Sequence, residues 1–576
     1  MNKLLSYPDM EFKINEIPEG KLVSYDCETT GLNPYKGDKP FLFSFATIEG
    51  DISIVECNPD TEEMLRTFFA DESISKVCHN AKFDIKMAKK YDYEVKGTMH
   101  DTQVMAHLID TYEPSFVLEN LTEKYIKEFK PVEKELLEGW FENNNIVKAK
   151  RKYYEVPTDI MHPYAAVDAW NCIQLFFKYK ERIREVIKMY GLDMKVQNYL
   201  IDIEDRGVLI DKGIGKEIVK ELIPLYEKEQ NKVKELTGMV LEPTKRRGIA
   251  AALFAAGEKC IEISEKSKEA KLGKEYLKQY TASFVPHLIE MIDLNRDIKD
   301  IKDQILGKVD KNNVIHTSFN LSKAVTGRFS SSGPNMQNKK VGSIIRKLFI
   351  NRPKFNNFYL DYSQIELRLF AHFSKSKGLI EGFQDTDFDM HQATADKLGI
   401  ERSVAKTINF SLLYGSGAKN LAKQLNVSHD KATELLKEYH AKMPALKKLQ
   451  SKLSKELFHK GYIEDPFGKR YYVPIKDNYK CANALIQGCA CNIFKKAMLA
   501  VRPLLTDKKS NLIQLIHDEM IFEIHEDEMY LIPQLKELME DMPEFDVPLT
   551  VDIEYTKTNW LEKKKYEKDV FLAEAF

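Results

Sequence analysis

The spacing of apolar and polar positions changes along this chain, and the changes divide it into three stretches. Up to about residue 80 the pattern is one of short strands and loops. KLVSYDCETTGL (21–32), FLFSFATIEG (41–50) and DISIVE (51–56) follow one another closely and predict an antiparallel meander. From about 172 to 305 the spacing predicts long Lys- and Glu-rich helices, and mixed strands and helices follow. In this last part, LIQLI (512–516) and MIFEI (520–524) predict two strands joined by a tight turn over His517, Asp518 and Glu519.

That turn raises a chemical question. A hairpin this apolar is at least half buried, yet its tip carries two adjacent carboxylates with no Lys or Arg within five residues on either side. A carboxylate pressed against a low-dielectric wall is costly and is normally compensated by a cation. A solvated turn would also satisfy the pattern, but a metal-binding tip needs a second acidic element. NNFYLDYSQIELRLFAHFS (356–374) supplies one: an apolar strand, FYL, reaches Asp361 and then turns helical. Two short strands side by side would bring Asp361 and Asp518 together.

A helix predicted over ERSVAKTINFSLLYGSG (401–417) carries Arg402, Lys406, Phe410 and Tyr414, each four residues from the last. Such positions are ~6 Å apart on one face. Two cations followed by two aromatics over ~18 Å match the phosphates, sugar and base of a nucleoside triphosphate. Arg328, in the Ser-, Gly- and Asn-rich loop of HTSFNLSKAVTGRFSSSGPNMQN (316–338), is suited to a minor groove, where acceptors are similarly placed in every correct base pair. Asn483 and Gln487, one helical turn apart in ANALIQG, could face the same groove.

Further acids occur near the N-terminus. Asp26 and Glu28 share one face of their strand. KVCHNAKFDIKMAKKYD (76–92) predicts a strand end leading into a helix capped near Asn80, with Asp84 in its early turns. IMHPYAAVDAWNCIQLFF (160–177) predicts a helix with Tyr164 and Asp168 one turn apart. Four carboxylates in one pocket repel by several kcal/mol per pair at ~4 Å and an effective dielectric of ~20. Hard divalent cations such as Mg²⁺ relieve that repulsion, and two of them can serve phosphodiester hydrolysis, with Tyr164 orienting the attacking water.

Composition alters this picture little. At 576 residues the chain has room for three or four domain-sized units, and its 43% hydrophobic and 30% charged residues are ordinary for a globular protein. The net charge of −2 is an average that acidic sites and a basic groove can produce together. The eight cysteines are scattered, which argues against zinc. No apolar run approaching the ~18 residues of a membrane span is expected. The first residues lack the apolar core of a secretory signal, so a cytoplasmic location and no membrane partner are expected.

The set Asp26-x-Glu28, Asn80-x-x-Phe83-Asp84 and Tyr164-x-x-x-Asp168 resembles the DEDD 3′→5′ exonucleases with a tyrosine in the last motif. DYSQIELR, the R-x-x-x-K-x-x-x-F-x-x-x-Y-G helix and HDE resemble motifs A, B and C of family A DNA polymerases, the bacterial DNA polymerase I family. IEDRGVLID (203–211), DMHQATA (389–395) and the Asn-Trp pair at 559–560 add to the match. The resemblance implies a mixed α+β chain: an RNase H-like exonuclease domain over 1–188, then a right-hand polymerase domain over 189–576. The latter divides into thumb (189–320), palm (321–374 and 476–576) and fingers (375–475). It also implies that the 5′-nuclease of full bacterial enzymes is missing, as in phage-type polymerases.

Carried over by position, the resemblance makes Asp361, Asp518 and the Tyr362 backbone metal ligands, with Glu519 an auxiliary acid and His517 a primer-end contact. Arg402, Lys406 and His391 bind the triphosphate, and Lys406 can protonate pyrophosphate. Phe410, Tyr414 and Gln364 contact the nucleotide, and Glu366 excludes a ribose 2′-OH. Arg328, Asn335, Gln337, Asn483 and Gln487 contact the duplex. Asp26, Glu28, Asp84 and Asp168 are the exonuclease metal ligands. The expected cofactors are two Mg²⁺ per active site, with Mn²⁺ able to substitute. The expected partners are primer–template DNA and dNTPs, and the chain is expected to be monomeric. A pure RNase D-like exonuclease, a single-subunit RNA polymerase and a non-catalytic DNA-binding scaffold are the competing readings. Asp361, Lys406 and Asp518 argue against the first, Glu366 and the exonuclease motifs against the second, and two complete acidic sites against the third.

Overall fold

The computed structural model describes residues 2–264, 267–385 and 388–573. The chain divides into two compact units. The first contains the residues up to Asp205, then Phe319–Ser330 and Tyr359–Ile553. The second contains Arg206–Ser318, Ser331–Phe358 and the residues from Glu554 onward.

In the first unit a six-stranded sheet is built around the expected meander. Leu22–Thr29, Pro40–Ala46 and Ile52–Glu56 pair antiparallel in sequence order. Phe12–Ile14 then adds parallel to Ile52–Glu56, and Ser75–Cys78 followed by Met99–Asp101 add in parallel on the other edge. The 26-residue helix Thr158–Ile183 packs on this sheet. Ala165, Ala166 and Ala169 are fully buried, and their small side chains permit a close approach. The Ser24 hydroxyl donates to the Ala169 carbonyl at 2.7 Å, which ties the helix to the strand that carries Asp26 and Glu28.

Helix Ala81–Ala88 begins after Asn80 as expected, but Asn80 does not cap it with its side chain. Asn80 sits in the left-handed region (φ 69°), and the cap comes from Asp101. One Asp101 oxygen accepts from Ala81 N at 2.8 Å, and the other accepts from Gln103 N at 2.8 Å. A single carboxylate thus serves the N-termini of two helices, Ala81–Ala88 and Thr102–Ile109.

Farther along the unit, Asn511–Ile516, Glu519–His525 and the parts of strands Phe355–Tyr362 and Val551–Thr556 that belong to it lie side by side in that order. Helix Cys481–Leu505, most of whose residues are buried, packs on helices Ile365–Ser374 and Leu531–Glu540. With the short turn before it, this is the one helix among the described residues long and apolar enough to cross a membrane; 78% of the window concerned is buried. It corrects the expectation that no such run occurs, and its burial marks it as a core helix. Asp465 fixes one flank of it, accepting from Tyr471 Oη at 2.8 Å and Asn492 Nδ2 at 2.7 Å.

The second unit centres on helices Lys212–Thr237 and Val285–Lys299, which pack on each other. Val233, Leu253, Leu288 and Met291 belong to its core. The long helices expected to about 305 are present, with a less regular stretch between these two. Gly238 ends the first helix in the left-handed region (φ 68°), and among the described residues only Arg246–Ala255 and the short Lys274–Leu277 are helical before Val285.

Gly488 lies on the buried face of Cys481–Leu505, where an added Cβ would strike the ring and hydroxyl of Tyr471. Tyr471 is fully buried and held by Asp465, so it has no room to yield. Gly488→Ala should therefore destabilise the protein by about 1–3 kcal/mol, measured by denaturant unfolding, even though alanine is the better helix former.

Candidate active sites

The structure brings Asp26, Glu28 and Asp168 together: one carboxylate oxygen from each lies within 4.8 Å of the others. The first two come from alternate positions of strand Leu22–Thr29 and the third from helix Thr158–Ile183. Asp84, expected as a fourth member, falls outside that distance group but faces it. Its negative charge raises the pKa of both Asp26 and Glu28. Asp84 is 2% exposed, and its Oδ1 has no hydrogen-bond partner. Burial pushes Asp84 up to about 7, although a hydrogen bond with Cys27 opposes this. Burial likewise pushes Asp168 up to about 7, against the pull of Lys134 and a hydrogen bond from Tyr164. Asp26 and Glu28 are raised well above the usual carboxylate range by desolvation and by the neighbouring acids.

An all-oxygen donor set, mutual repulsion and an orphaned buried carboxylate oxygen fit a hard divalent cation. Lys134, on helix Val132–Asn143, is a member of this site that motif reading missed. Its Nζ pairs with Glu119 at 3.2 Å, lies 5.8 Å from the Tyr164 ring centroid and lowers the pKa of both Glu28 and Asp168. Only its position in space marks it, because nothing in the surrounding EKELLE resembles a motif.

The second site lies where the hairpin tip meets the neighbouring strand. The turn is tighter than expected: His517 and Asp518 form it, with His517 in the left-handed region (φ 52°), and Glu519 already pairs with Ile516. Tyr362 N donates to Asp518 O at 3.3 Å, so the end of strand Phe355–Tyr362 abuts the tip. Asp361, Asp518, His517, Tyr362, Gln364, Glu366, Arg328, His391, Arg402, Lys406, Phe410 and Tyr414 all line one cavity of about 450 Å³.

Helix Arg402–Leu413 presents Arg402, Lys406 and Phe410 on its open side, and Tyr414 follows at its C-cap. The Phe410 and Tyr414 rings stack at 5.9 Å and 25°. Asp389, which caps helix Met390–Leu398, also accepts from Arg402 Nε at 2.6 Å and so fixes the first cation of the row. His391 is buried against Phe410, with ring centroids 5.2 Å apart, and is bonded to Asn409 Nδ2 at 3.1 Å. Gln364 sits at the start of helix Ile365–Ser374, and its Oε1 is buried without a partner.

Arg328 changes the reading of the hairpin tip. The tip has no basic neighbour in sequence, but this guanidinium approaches from the Phe319–Ser330 segment. It pairs with Glu366 and lowers the pKa of both Glu366 and Asp518 against the upward push of burial. Burial, then the Glu366 charge, raises Tyr414. Arg328, Glu366 and Tyr414 thus form one polar cluster beside Asp518.

The expected duplex contacts are dispersed. Asn483 and Gln487 are half-buried on helix Cys481–Leu505, and Asn483 Oδ1 has no partner. In the second unit Asn335 is exposed and Gln337 is buried. Gln337 N donates to Asn335 Oδ1 at 3.0 Å, which gives both residues a role in shaping their own turn.

The profile of DNA polymerase family A matches residues 213–562, and that of a 3′-5′ exonuclease matches residues 7–184. The chain belongs to DNA polymerase family A. DNA polymerase I of Rhizobium leguminosarum is 29% identical over 87% of this chain, which spans 52% of that relative. DNA polymerase DpoZ of Salmonella phage PMBT28 is 25% identical over 95% of the chain and 97% of its own length. Among solved structures, the POL domain of Pol1 from M. smegmatis, in complex with DNA primer-template and dNTP, superposes with a TM-score of 0.77 at 25% identity. It covers 94% of this chain and 96% of its own. A family A polymerase implies divalent metal, consistent with the oxygen donor set around Asp26, Glu28 and Asp168.

The Arg328–Glu366 pair is buried on the Glu366 side (7% exposed) and one-third exposed on the Arg328 side. Arg328→Met should cost about 1–3 kcal/mol in chemical denaturation, because it strands a buried carboxylate. Adding Glu366→Gln should recover most of that loss.

Proposed function

We propose that this chain is a template-directed DNA polymerase with a proofreading 3′→5′ exonuclease. The observation that carries this reading is the row of Arg402, Lys406, Phe410 and Tyr414 opening into the same cavity as Asp361 and Asp518. A triphosphate laid along that row has its phosphates against the cations, its base against the aromatics and its α-phosphorus toward the carboxylates.

In synthesis, the primer 3′-oxygen attacks the α-phosphorus, the bond to the β-phosphate oxygen breaks, and pyrophosphate leaves. Arg402, Lys406 and His391 hold the triphosphate, and Lys406 is placed to give the departing pyrophosphate a proton. Phe410, Tyr414 and Gln364 orient the nucleoside. Glu366 crowds the 2′ position, and its engagement with Arg328 holds its carboxylate in one place. Arg328, Asn335, Gln337, Asn483 and Gln487 contact the duplex, and His517 meets the primer end. Glu519 supports the acidic tip.

Two Mg²⁺ per site, replaceable by Mn²⁺, would be held by Asp361, Asp518 and the Tyr362 carbonyl at one site and by Asp26, Glu28, Asp84 and Asp168 at the other. Bound there, such ions supply charge stabilisation to the attacking and leaving oxygens. At the second site Tyr164, bonded to Asp168, orients the water that attacks the terminal phosphodiester. The phage relatives, DNA polymerases that match this chain almost end to end, favour a role in replication or repair, and the chain is proposed to act as a monomer in the bacterial or phage-infected cytoplasm.

Asp518→Ala should reduce primer extension by at least about 100-fold, the scale on which loss of one transition-state charge contact is felt, and leave 3′ degradation unchanged. Asp26→Ala with Glu28→Ala should do the reverse and raise misincorporation. Steady-state assays of both activities on each variant decide the matter, and loss of both activities in either variant would contradict two separable sites.

A further inference from the structure

Glu204, near the end of helix Ile187–Arg206, is 1% exposed and belongs to neither site. Lys82 and Lys86 both pair with it, Lys86 at 2.6 Å. Phe319 N donates to the same carboxylate at 2.7 Å, and Lys82 also donates to the Phe319 carbonyl. A buried carboxylate with this many partners is fully compensated and geometrically over-determined.

The partners are what make Glu204 informative. Lys82 and Lys86 stand two residues either side of Asp84 on helix Ala81–Ala88. Two steps of ~100° place each on the flank away from Asp84. Glu204 therefore grips the back of the short helix whose front presents Asp84 to the acidic cluster. The adjacent Asp205 extends the grip, accepting from Tyr35 Oη at 2.7 Å and Lys89 Nζ at 2.9 Å.

On its other side Glu204 holds Phe319, the start of the segment that ends in Arg328. That segment is tied to its surroundings mainly through its backbone. His107 Nε2 is bonded to Ala324 O at 2.9 Å, Lys469 Nζ donates to Thr326 O at 3.2 Å, and Cys491 Sγ donates to Gly327 O at 2.8 Å. Lys82, Lys86 and His107 lie on helices that flank the exonuclease-type cluster.

We propose that Glu204 is a shared positioning residue, one carboxylate that sets both the helix bearing Asp84 and the segment bearing Arg328. The proposal rests on the functional reading above only for which activities respond. Removing the Glu204 charge frees the back of the Asp84 helix at once. It also frees one of the several attachments of the Arg328 segment while the others remain, so degradation suffers more than synthesis.

The test compares the full chain with Glu204→Gln, Lys86→Met and Lys86→Arg, by hydrogen exchange and by steady-state kinetics of degradation and extension. Glu204→Gln should speed exchange in residues 81–88 and in 319–328 and cut the degradation rate by about tenfold, the scale of outer-shell changes at metal sites. It should also raise the KM for primer–template by about threefold, with kcat for correct addition within about twofold. Lys86→Met should affect only residues 81–88 and degradation, and Lys86→Arg should restore both. Wild-type exchange in both segments of Glu204→Gln would overturn the proposal. So would a uniform rise in exchange across the chain with both activities falling by one factor, since that describes general destabilisation. An unmutated chain inactive in both assays would refute the functional reading instead, and the exchange pattern would then decide the proposal alone.

Discussion

Carboxylates gathered on desolvated ground, with too few basic groups to balance them, are the constraint on which the first unit is organised. At the N-terminal site Asp26, Glu28 and Asp168 are held within 4.8 Å of one another, with Asp84 buried behind them. Such a cluster opposes folding by several kcal/mol per ~4 Å pair at an effective dielectric of ~20. The fold resists that repulsion with rigid supports: a strand fixed in a sheet, a long helix tied to it through Ser24 and Ala169, and a short helix gripped from behind by Glu204. The repulsion that remains is what a divalent cation relieves, so the site is strained in the direction of metal binding.

The cavity at the hairpin tip uses a different balance. Its acids are fewer, and one cation from the protein, Arg328, already compensates Glu366 and Asp518. Its other cations, Arg402 and Lys406, project from the open face of a helix, one of them fixed by Asp389. A polyanionic ligand can therefore enter without the protein first having to assemble its positive charge. The same row ends in stacked aromatics, so charge and π-surface follow one another in the order found in a nucleotide.

Much of this was legible in the sequence. Period-2 alternation located the meander, and the four-residue spacing from Arg402 to Tyr414 located a helix face, because both depend on local geometry alone. Asp361 and Asp518 were paired by the absence of basic neighbours around the tip, and the structure does place their strands together. The same reasoning missed Arg328 as a partner of that tip, because the two are distant in sequence and meet only through the fold. Lys134, Asp101 and Glu204 were missed for a related reason. Each acts through long-range contacts with backbone N–H groups or with side chains from other elements; Lys134 and Asp101 sit in no recognisable local pattern, and Glu204 lies in IEDRGVLID, whose spacing does not reveal its partners. Asn80 occupies the cap position expected of it, but its left-handed backbone leaves the capping hydrogen bonds to Asp101, which is remote in sequence.

The most direct measurement is primer extension on a labelled primer–template in Mg²⁺, run with and without all four dNTPs. Lengthening of the primer with nucleotides present and its shortening from the 3′ end without them is the result this account predicts. Shortening in both conditions would contradict it, leaving a nuclease whose second cavity binds without catalysing synthesis.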